Sequence, residues 1–312
     1  MSGAVLLRRC VLVIKHGALG DFVLATGPMM AIRAQHLADH VTLLTTPQLK
    51  DFAHASGLFD EVWTDTRPGP LELGTWLALI RRLRGAGFHR VYDLQPSDRT
   101  SLYFHLLPRP KPEWSGTAPG ASHRHDNPGR MRLHAIDRHA EQLRIAGIPH
   151  VPHPDLGWAR ADIRHLPLVQ PYGILVPGGS AHRPAKRWSA ASFAVLAKGL
   201  SQTGIQPVTV GAAADREAAA PAVAAGALDL VGKTSLVELV EVARGAELAV
   251  GNDTGPMHIA AVSGCRTVVL FSAASDPAVS APRGSEVRIV RKPDLGELSV
   301  EEVAEAALHR PI

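Results

Sequence analysis

The sequence predicts an α/β protein with two doubly wound parallel sheets in tandem, and three observations support this. Short apolar runs alternate with longer segments of helical spacing through both halves, which is typical of a parallel sheet covered by helices on both faces. A glycine-bearing loop follows the first strand of each half. The length of 312 residues suits two domains, which we predict at 1–160 and 161–312.

The first half carries four apolar runs that predict strands, at residues 11–15, 41–46, 61–65 and 90–95. Helical spacing predicts helices at 22–36, 69–88 and 137–148, and either Gly85 or Gly87 ends the second of these. Prolines and glycines crowd the segment Ser97–His139, for which we predict long loops and one helix. Long irregular segments in compact domains are more often functional than idle. The stretch 149–171 is predicted to connect the domains.

The second half repeats the alternation of strand and helix. Strands are predicted at 172–176, 206–211, 228–232, 248–251 and 267–271. Helices are predicted at 189–204, 215–226 and 235–246, and a fourth begins within the segment Asn252–Gly264. Ser189 is the expected N-cap of the first helix, and Ser235 with Glu238 has the spacing of a capping box.

Composition restricts the class of protein and its partners. The chain is 46% hydrophobic and 20% charged, which predicts a soluble globular protein. Its net charge of +4 is only weak evidence for nucleic acid, so we predict none, and it fits an anionic substrate or an anionic membrane surface equally well. Two cysteines cannot form a disulfide framework, and arginines interrupt the apolar N-terminus. We therefore expect a cytoplasmic protein without a signal peptide or membrane span.

The segment Asn252–Gly264 places polar and small residues at the start of a predicted helix. These residues are Asp253, Thr254, Gly255 and, in the first turn, His258. Pro256 suits the first helical position, where its missing N–H costs nothing. The free backbone N–H groups and the positive end of the helix dipole then form a ready site for phosphate. The alternative is that Asp253 or Thr254 is only a cap and His258 only structural. We favour the phosphate site because two other anion-suited loops follow strands.

One of these loops is Pro177–Trp188, with the sequence PGGSAHRPAKRW. Gly178, Gly179 and Ser180 could cradle a phosphate group, and Lys186 could neutralise it. The loop is not a Walker A motif, because the GK[ST] ending is absent. An ordinary exposed turn would have the same composition.

The other loop is KHGALGD, residues 15–21, after the first predicted strand. It lacks the third glycine of the dinucleotide-binding fingerprint. Asp21 stands at the predicted start of a helix, where a carboxylate is commonly a cap. The functional alternative is a general base directed towards a cleft between the domains.

The segment Ser97–His139 has seven Lys/Arg and four Asp/Glu residues, an excess of three positive charges. We predict that Arg124, Arg130 and Arg132 recognise an anionic acceptor. The later part of this segment carries four histidines, at positions 123, 125, 134 and 139. Their spacing matches no strong zinc pattern, so we predict no metal and expect these histidines on a polar binding surface.

The three loops, in this order, resemble glycosyltransferase family 9, the ADP-heptose:lipopolysaccharide heptosyltransferases. The matching pieces are VLVIKHGALGDFVLATGPMMAIR, VPGGSAHRPAKRWSAASFAVLAKGL and VGKTSLVELVEVARGAELAVGNDTGPMHIAAVSGCRTVVLF, with a trailing segment near Pro277. They cover about two thirds of the chain. The resemblance implies a GT-B fold, with two Rossmann-like domains facing each other across a cleft. It also implies inverting, metal-independent transfer of a sugar from a nucleotide-diphosphate donor, without a cofactor.

The resemblance assigns roles to residues of the three loops. The family's catalytic aspartate falls on Asp21 and its phosphate-binding lysine on Lys186. Its nucleotide-binding residues fall on Asp253, Thr254, Gly255 and His258. Either Asp215 or Glu217 matches the family's ribose contact, and we take Glu217 as the candidate. The leading donor is ADP-heptose and the leading acceptor a lipopolysaccharide-type saccharide, with another nucleotide sugar as the alternative. Such an acceptor implies an enzyme that works in the cytoplasm or is loosely associated with the inner face of the inner membrane.

Two alternative functions are also compatible with the sequence. A nucleotide-sugar epimerase of GT-B shape would share the nucleotide-binding loops. A non-catalytic cytoplasmic protein would bind the nucleotide sugar without consuming it.

Overall fold

The computed structural model describes residues 8–69, 71–180 and 182–308. These residues form two compact units. One unit comprises the chain up to Ala18 together with Ala25–Pro154, and the other comprises Leu19–Leu24 together with the chain from Asp155 onward. Leu19–Leu24 forms helix α1, which therefore belongs to the second unit although it lies early in the sequence. The domain boundary after residue 160 remains a prediction.

The first unit is built on a six-stranded parallel sheet in the order β3-β2-β1-β4-β5-β6. Its strands are β1 Cys10–Ile14, β2 His40–Thr45, β3 Glu61–Thr64, β4 Phe88–Asp93, β5 Glu113–Gly116 and β6 His123–Arg124. Its helices are α2 Thr26–Gln35, α3 Lys50–Ala55, α4 Leu73–Gly85, α5 Asp98–Leu106 and α6 Ala135–Ile145. The first two strands are apolar runs because both faces of a parallel sheet are covered. Gly87 follows α4 with a φ of 61°, so it is this glycine that supplies the left-handed residue after the helix.

The segment Ser97–His139 is more regular than its composition indicates. The prediction of loops with one helix is wrong here, because the segment contains β5 and β6 as well as α5 and reaches the start of α6. The two strands have four and two residues, too short to give an apolar run or an alternation. They form because β5 adds in parallel to the free edge of β4 and β6 adds in parallel to β5.

The second unit has the same topology, with a parallel sheet in the order β12-β11-β10-β7-β8-β9. Its strands are β7 Tyr172–Val176, β8 Gln206–Thr209, β9 Leu228–Asp229, β10 Leu248–Asn252, β11 Thr267–Phe271 and β12 Val287–Arg291. Its later helices are α7 Ala190–Gln202, α8 Arg216–Ala224, α9 Leu236–Gly245, α10 Gly255–Val262, α11 Pro277–Ser280 and α12 Val300–Leu308. Strand β12 and helix α12 complete the sheet and its cover without having been predicted. The α/β class with two Rossmann-like parallel sheets is confirmed.

The predicted helix caps of the second unit are confirmed. The Ser189 hydroxyl accepts a hydrogen bond from Ser192 N–H at 2.9 Å. In the capping box, Ser235 N–H donates to Glu238 Oε2 at 2.7 Å and Glu238 N–H donates to Ser235 Oγ at 3.2 Å. Each bond satisfies a backbone donor that a helix start leaves free.

None of the helices in the described ranges combines the length and the apolar character that a membrane span requires.

Candidate functional site

The candidate site of the second unit lies where the strand order of its sheet reverses. Strands β7 and β10 are neighbours there, and their loops leave the same edge of the sheet. In doubly wound sheets this reversal point, beyond the carboxyl ends of the strands, is where ligands bind. The loops after these two strands are Pro177–Trp188 and Asp253–Thr254. Two of the three loops singled out in the sequence therefore meet.

An ion pair joins the two loops. Lys186 Nζ lies 2.6 Å from Asp253 Oδ2, and the two side chains are only 14% and 7% exposed. Lys186 ends the short 3-10 turn Pro184–Lys186, whereas Asp253 directly follows β10. The partial burial strengthens the attraction relative to a surface pair. The ammonium group is thereby held on Asp253, the residue that precedes Thr254, the N-cap of α10.

Asn252 fixes the geometry of both loops and was not recognised from the sequence. Its buried side chain accepts a hydrogen bond from Trp188 N–H at 2.9 Å. It also donates to the carbonyl groups of Pro177 at 2.9 Å and Gly178 at 3.1 Å. The signal in the sequence was an asparagine at the end of an apolar strand, where an amide must find partners inside the fold.

The glycine loop packs directly on Asp215. A Cβ atom on Gly178 would lie 2.3 Å from the carboxyl carbon of Asp215, so no side chain fits at this position. The two carboxylate oxygens of Asp215 accept from Gly179 N–H at 3.2 Å and Ala212 N–H at 2.9 Å. Asp215 thus holds the loop. Glu217 is exposed in the first turn of α8, which favours it over Asp215 as the candidate for the ribose contact.

Arg187 supplies a second cation to the glycine loop, again without having been predicted. Its guanidinium group donates to the carbonyl oxygen of Gly179. Its Cγ lies 3.5 Å from the position of a Cβ atom on Gly179. Ser180, by contrast, is exposed next to this contact. Two positive side chains, Lys186 and Arg187, therefore lie beside the glycine loop.

The N-terminus of α10 has no hydrogen bond from a capping side chain. Thr254 is the N-cap but its hydroxyl makes no capping bond, and within the described residues this buried oxygen has no hydrogen-bond partner. Asp253 is engaged with Lys186 instead. Thr254 therefore occupies the N-cap position, but neither its side chain nor that of Asp253 caps the helix. Pro256 is the second helical residue rather than the first, because Gly255 already begins the helix. Pro256 has no N–H group, and the Met257 N–H donates to the carbonyl oxygen of Thr254 at 3.1 Å. The N–H of Gly255, at the positive end of the helix dipole, is therefore the group of this turn that suits an anion.

His258 and α1 meet at two glycines. A Cβ atom on Gly20 would lie 2.6 Å from Cδ2 and 2.8 Å from Nε2 of His258, whose ring is 5% exposed. A Cβ atom on Gly255 would lie 2.7 Å from Cβ of Leu19. The absence of both side chains lets α1 pack closely on α10. Asp21 is partly exposed, one residue beyond this contact.

Asp21 is not the N-cap of α1. It is the third residue of the helix, inside the first turn. The structure therefore brings the candidate base into the same unit as the candidate phosphate-binding residues. A carboxylate at this position still interacts favourably with the helix dipole.

In the first unit, Arg67 holds the loop that precedes α1. Its guanidinium group donates to the carbonyl oxygens of His16 and Gly17, both at 3.2 Å. Gly17 adopts a φ of 81°, which glycine tolerates without strain. Arg67 itself is fixed by its N–H group, which donates to Asp65 Oδ1 at 2.7 Å. Neither Arg67 nor Asp65 was recognised in the sequence.

Asp65 is the centre of a buried polar cluster. Arg99 donates to both of its carboxylate oxygens, at 2.9 and 3.0 Å, and the Tyr103 hydroxyl donates at 2.5 Å. Burial alone would raise the pKa of Asp65, but these hydrogen bonds outweigh it and lower the pKa below its usual value. Burial also lowers the pKa of the neighbouring His16 to about 4, so this imidazole is neutral at physiological pH.

The arginines predicted to bind an acceptor lie on the first unit. Arg124 is the exposed last residue of β6, and Arg130 and Arg132 belong to the 3-10 turn 130–132. The expectation that the nearby histidines form a polar surface is wrong for three of the four. His125, His134 and His139 are buried, with exposures of 1–3%. They are buried because the short strands and α6 cover them.

Comparison with known proteins supports a family assignment. Over 120 residues the chain is 34% identical to lipopolysaccharide heptosyltransferase 2 of Salmonella typhimurium, a stretch that spans 36% of this chain and 34% of that protein. The match to this curated relative therefore covers about a third of its length.

Two solved structures share the fold of almost the whole chain. The E. coli ADP-heptose lps heptosyltransferase II has a TM-score of 0.78 and 21% identity, covering 95% of this chain and 96% of that one. The E. coli heptosyltransferase WaaC with ADP has a TM-score of 0.74 and 18% identity, covering 95% and 98%. At these identities the likeness establishes the GT-B type of fold and no more.

The family model of glycosyltransferase family 9 (heptosyltransferase) matches residues 76–305, well over half of the chain. This region includes the glycine loop, the Lys186–Asp253 pair and the open end of α10. The chain belongs to glycosyltransferase family 9.

Proposed function

We propose that this protein is an inverting, metal-independent heptosyltransferase that transfers heptose from ADP-heptose to a lipopolysaccharide-type acceptor. The observation that carries the proposal is the ion pair of Lys186 and Asp253 beside the open N-terminus of α10. Membership of the family and the names of its relatives support the sugar and the acceptor class. The ADP in the WaaC structure supports the nucleotide.

The donor's diphosphate is the group that these residues suit. As the bond between the anomeric carbon and the diphosphate breaks, negative charge grows on the phosphate oxygens. The Lys186 ammonium has three N–H donors, so it can keep one on Asp253 and direct another to a phosphate oxygen. The N–H of Gly255, at the start of α10, and the imidazole of His258 can donate to the same anion. Fixed donors of this kind stabilise charge without reorganising during the reaction.

Asp21 is proposed as the general base. The acceptor hydroxyl attacks the anomeric carbon from the face opposite the diphosphate, which inverts the configuration. The new carbon–oxygen bond forms as the bond to the diphosphate breaks, and the hydroxyl proton passes to the Asp21 carboxylate. Asp21 is partly exposed, so an acceptor can reach it.

The test is turnover of ADP-heptose with a delipidated inner-core saccharide, followed by mass spectrometry of the product and measurement of released ADP. We expect a saccharide heavier by one heptose, formed equally well with EDTA present. Lys186→Ala should lower the rate about a hundredfold or more. Lys198→Ala is the control, because that lysine is exposed on α7 of the same unit.

The outcomes separate the alternatives. An epimerase would change the sugar nucleotide in the absence of any saccharide. A non-catalytic binding protein would bind ADP-heptose and leave it intact. A lysine variant as active as the control would contradict the role of Lys186.

The acceptor is proposed to bind the first unit through Arg124, Arg130 and Arg132. Their positive charge and the exposure of Arg124 and Arg132 support an anionic saccharide. Replacing all three by alanine should raise the KM for acceptor and leave ADP affinity unchanged. A fall in ADP affinity instead would assign these arginines to the donor.

We further propose that α4 touches an anionic lipid surface at the inner face of the inner membrane. Leu73 and Leu77 are 65% and 52% exposed on this helix, and Arg81 continues the same face at four-residue spacing. Leu71, just before the helix, is 93% exposed. Exposed leucines beside arginines suit the boundary between head groups and acyl chains, and a lipid-linked acceptor would be held there.

Sedimentation with phosphatidylglycerol-containing vesicles tests this surface. Binding should fall in the double variant Leu73→Ser and Leu77→Ser, with high salt, and with pure phosphatidylcholine vesicles. Val195→Ser is the control, because this residue is 54% exposed on α7 of the other unit. Equal binding of all variants would exclude α4 as the contact.

A further inference from the structure

A second group of chemically active side chains lies at the amino ends of the strands in the first unit. It consists of His36, which directly follows α2, Asp39 just before β2, and His89 in β4. One potential ligand atom from each residue lies within 4.8 Å of the other two. His36 and Asp39 are buried and His89 is partly buried. The loops of the candidate active site follow carboxyl ends of strands, so this group has no role in the proposed reaction.

The hydrogen bonds around His89 determine which of its nitrogens is available. His89 Nδ1 lies 2.7 Å from the carbonyl oxygen of Cys10. A carbonyl oxygen only accepts, so Nδ1 carries the hydrogen and Nε2 keeps its lone pair. This is the second contact expected of a histidine that binds a metal, whose other nitrogen usually donates to a carbonyl or carboxylate.

His36 has the matching arrangement. Its Nε2 lies 2.9 Å from the Tyr92 hydroxyl, which can donate or accept. Its Nδ1 lies 2.7 Å from Asp39 Oδ2. When Nε2 carries the hydrogen and donates to Tyr92, the lone pair of Nδ1 points to the carboxylate. A cation can then take the place of the hydrogen that otherwise joins Nδ1 to Oδ2.

We propose that His36 Nδ1, Asp39 Oδ2 and His89 Nε2 bind one zinc ion, with water as the fourth ligand. Two imidazoles and one carboxylate are a donor set that zinc commonly takes in tetrahedral geometry. Arg9 Nε lies 3.6 Å from the other carboxylate oxygen, Oδ1, so this guanidinium group leaves Oδ2 to the metal.

The ion would have a structural role. It would tie the turn between α2 and β2, which carries His36 and Asp39, to His89 in β4, a strand that is distant in sequence. Its binding energy would add to folding, since the unfolded chain lacks the assembled site. Occupancy should therefore change thermal stability.

The test uses the full-length, untagged protein, stripped with EDTA and titrated with zinc sulfate against a chromophoric chelator. The wild type should bind one zinc ion and melt at a higher temperature when zinc is added. His89→Ala should lose both effects. Tyr92→Phe should keep the ligands but weaken zinc binding by about 10- to 100-fold, because it removes the partner of His36 Nε2.

A control for zinc binding at other histidines is needed, because the chain has 16 of them. His54→Ala removes an exposed imidazole from α3 of the same unit and should leave zinc binding unchanged. If His89→Ala melts too early to be studied, His89→Gln can replace it, because the amide can still donate to Cys10. Absence of a tight zinc ion in the wild type would overturn the proposal, as would zinc binding that survives either His89 substitution.

Discussion

At the scale of single residues, a substitution of Asp21 can distinguish a structural role from a catalytic one. It is the third residue of α1, where a carboxylate interacts favourably with the helix dipole. That interaction is typically worth about 0.3–1 kcal/mol, whereas a general base contributes about a hundredfold to ten-thousandfold in rate.

Asp21→Asn should therefore fold with near-normal stability, bind ADP normally and lose transfer by about a hundredfold or more. Thermal melting, ADP titration and single-turnover kinetics measure the three properties. Transfer at close to the parental rate would leave Asp21 a structural role and place the base elsewhere.

Asp93 gives a second prediction at this scale. It ends β4 and is completely buried, and burial raises the pKa of its carboxyl group to about 7. A raised pKa means that folding favours the protonated form. The protonated Asp93 carboxyl group then makes its full contribution to the free energy of unfolding below about pH 4. This contribution is lost as the pH rises through about 7.

Asp93→Asn resembles the protonated form at every pH. Relative to wild type, the variant should gain on the order of a few kcal/mol in unfolding free energy between pH 5 and pH 8. Urea unfolding at the two pH values measures this difference, and Asp126→Asn, at an exposed position, is the control. A difference that does not depend on pH would contradict the buried, proton-binding carboxyl group.

At the scale of elements, the contact of α1 with α10 connects the candidate base to the candidate phosphate site. Gly20 lies in a helix, where alanine is favoured by about 0.5–1 kcal/mol. A Cβ atom there would nevertheless overlap the His258 ring at 2.6 Å. The steric overlap would disturb His258 in the candidate site, whereas the helix propensity of alanine would affect only the stability of α1.

Gly20→Ala should displace His258 and reduce both ADP affinity and transfer, although alanine favours the helix. Gly199→Ala in α7 is the matched control, because a Cβ atom there meets nothing within 4 Å. It should raise stability by about 0.5–1 kcal/mol and leave activity unchanged. Equal behaviour of the two variants in ADP titrations would show that the α1–α10 contact does not affect the site.

At the scale of the whole molecule, the proposal assigns the nucleotide to one unit. Hydrogen exchange with and without ADP should therefore show protection at Pro177–Trp188, Asn252–His258 and Leu19–Leu24. The segment 113–132 should exchange at the same rate in both conditions. Protection confined to the first unit would contradict the donor assignment, because both predicted phosphate loops belong to the second.

The sequence alone determined the class of fold and the positions of the candidate loops. Strands such as β7 and β11 are continuous apolar runs because a parallel sheet is covered on both faces, and this pattern is local. Helix caps such as Ser189 and the Ser235–Glu238 box are local as well, because their partners lie three residues away.

The tertiary structure decided what depends on long-range contacts. The short strands β5 and β6 form only because β5 can pair with the edge of β4 and β6 with β5, so Ser97–His139 gave no strand signal. Asn252, Asp215 and Arg67 hold loops whose residues lie 36 to 75 positions away, and no spacing rule reaches that far. The same holds for Gly20, whose lack of a side chain is explained only by a histidine more than two hundred residues later. The pattern of residues along the sequence can identify the loops, but only the folded sheet brings their side chains into one site.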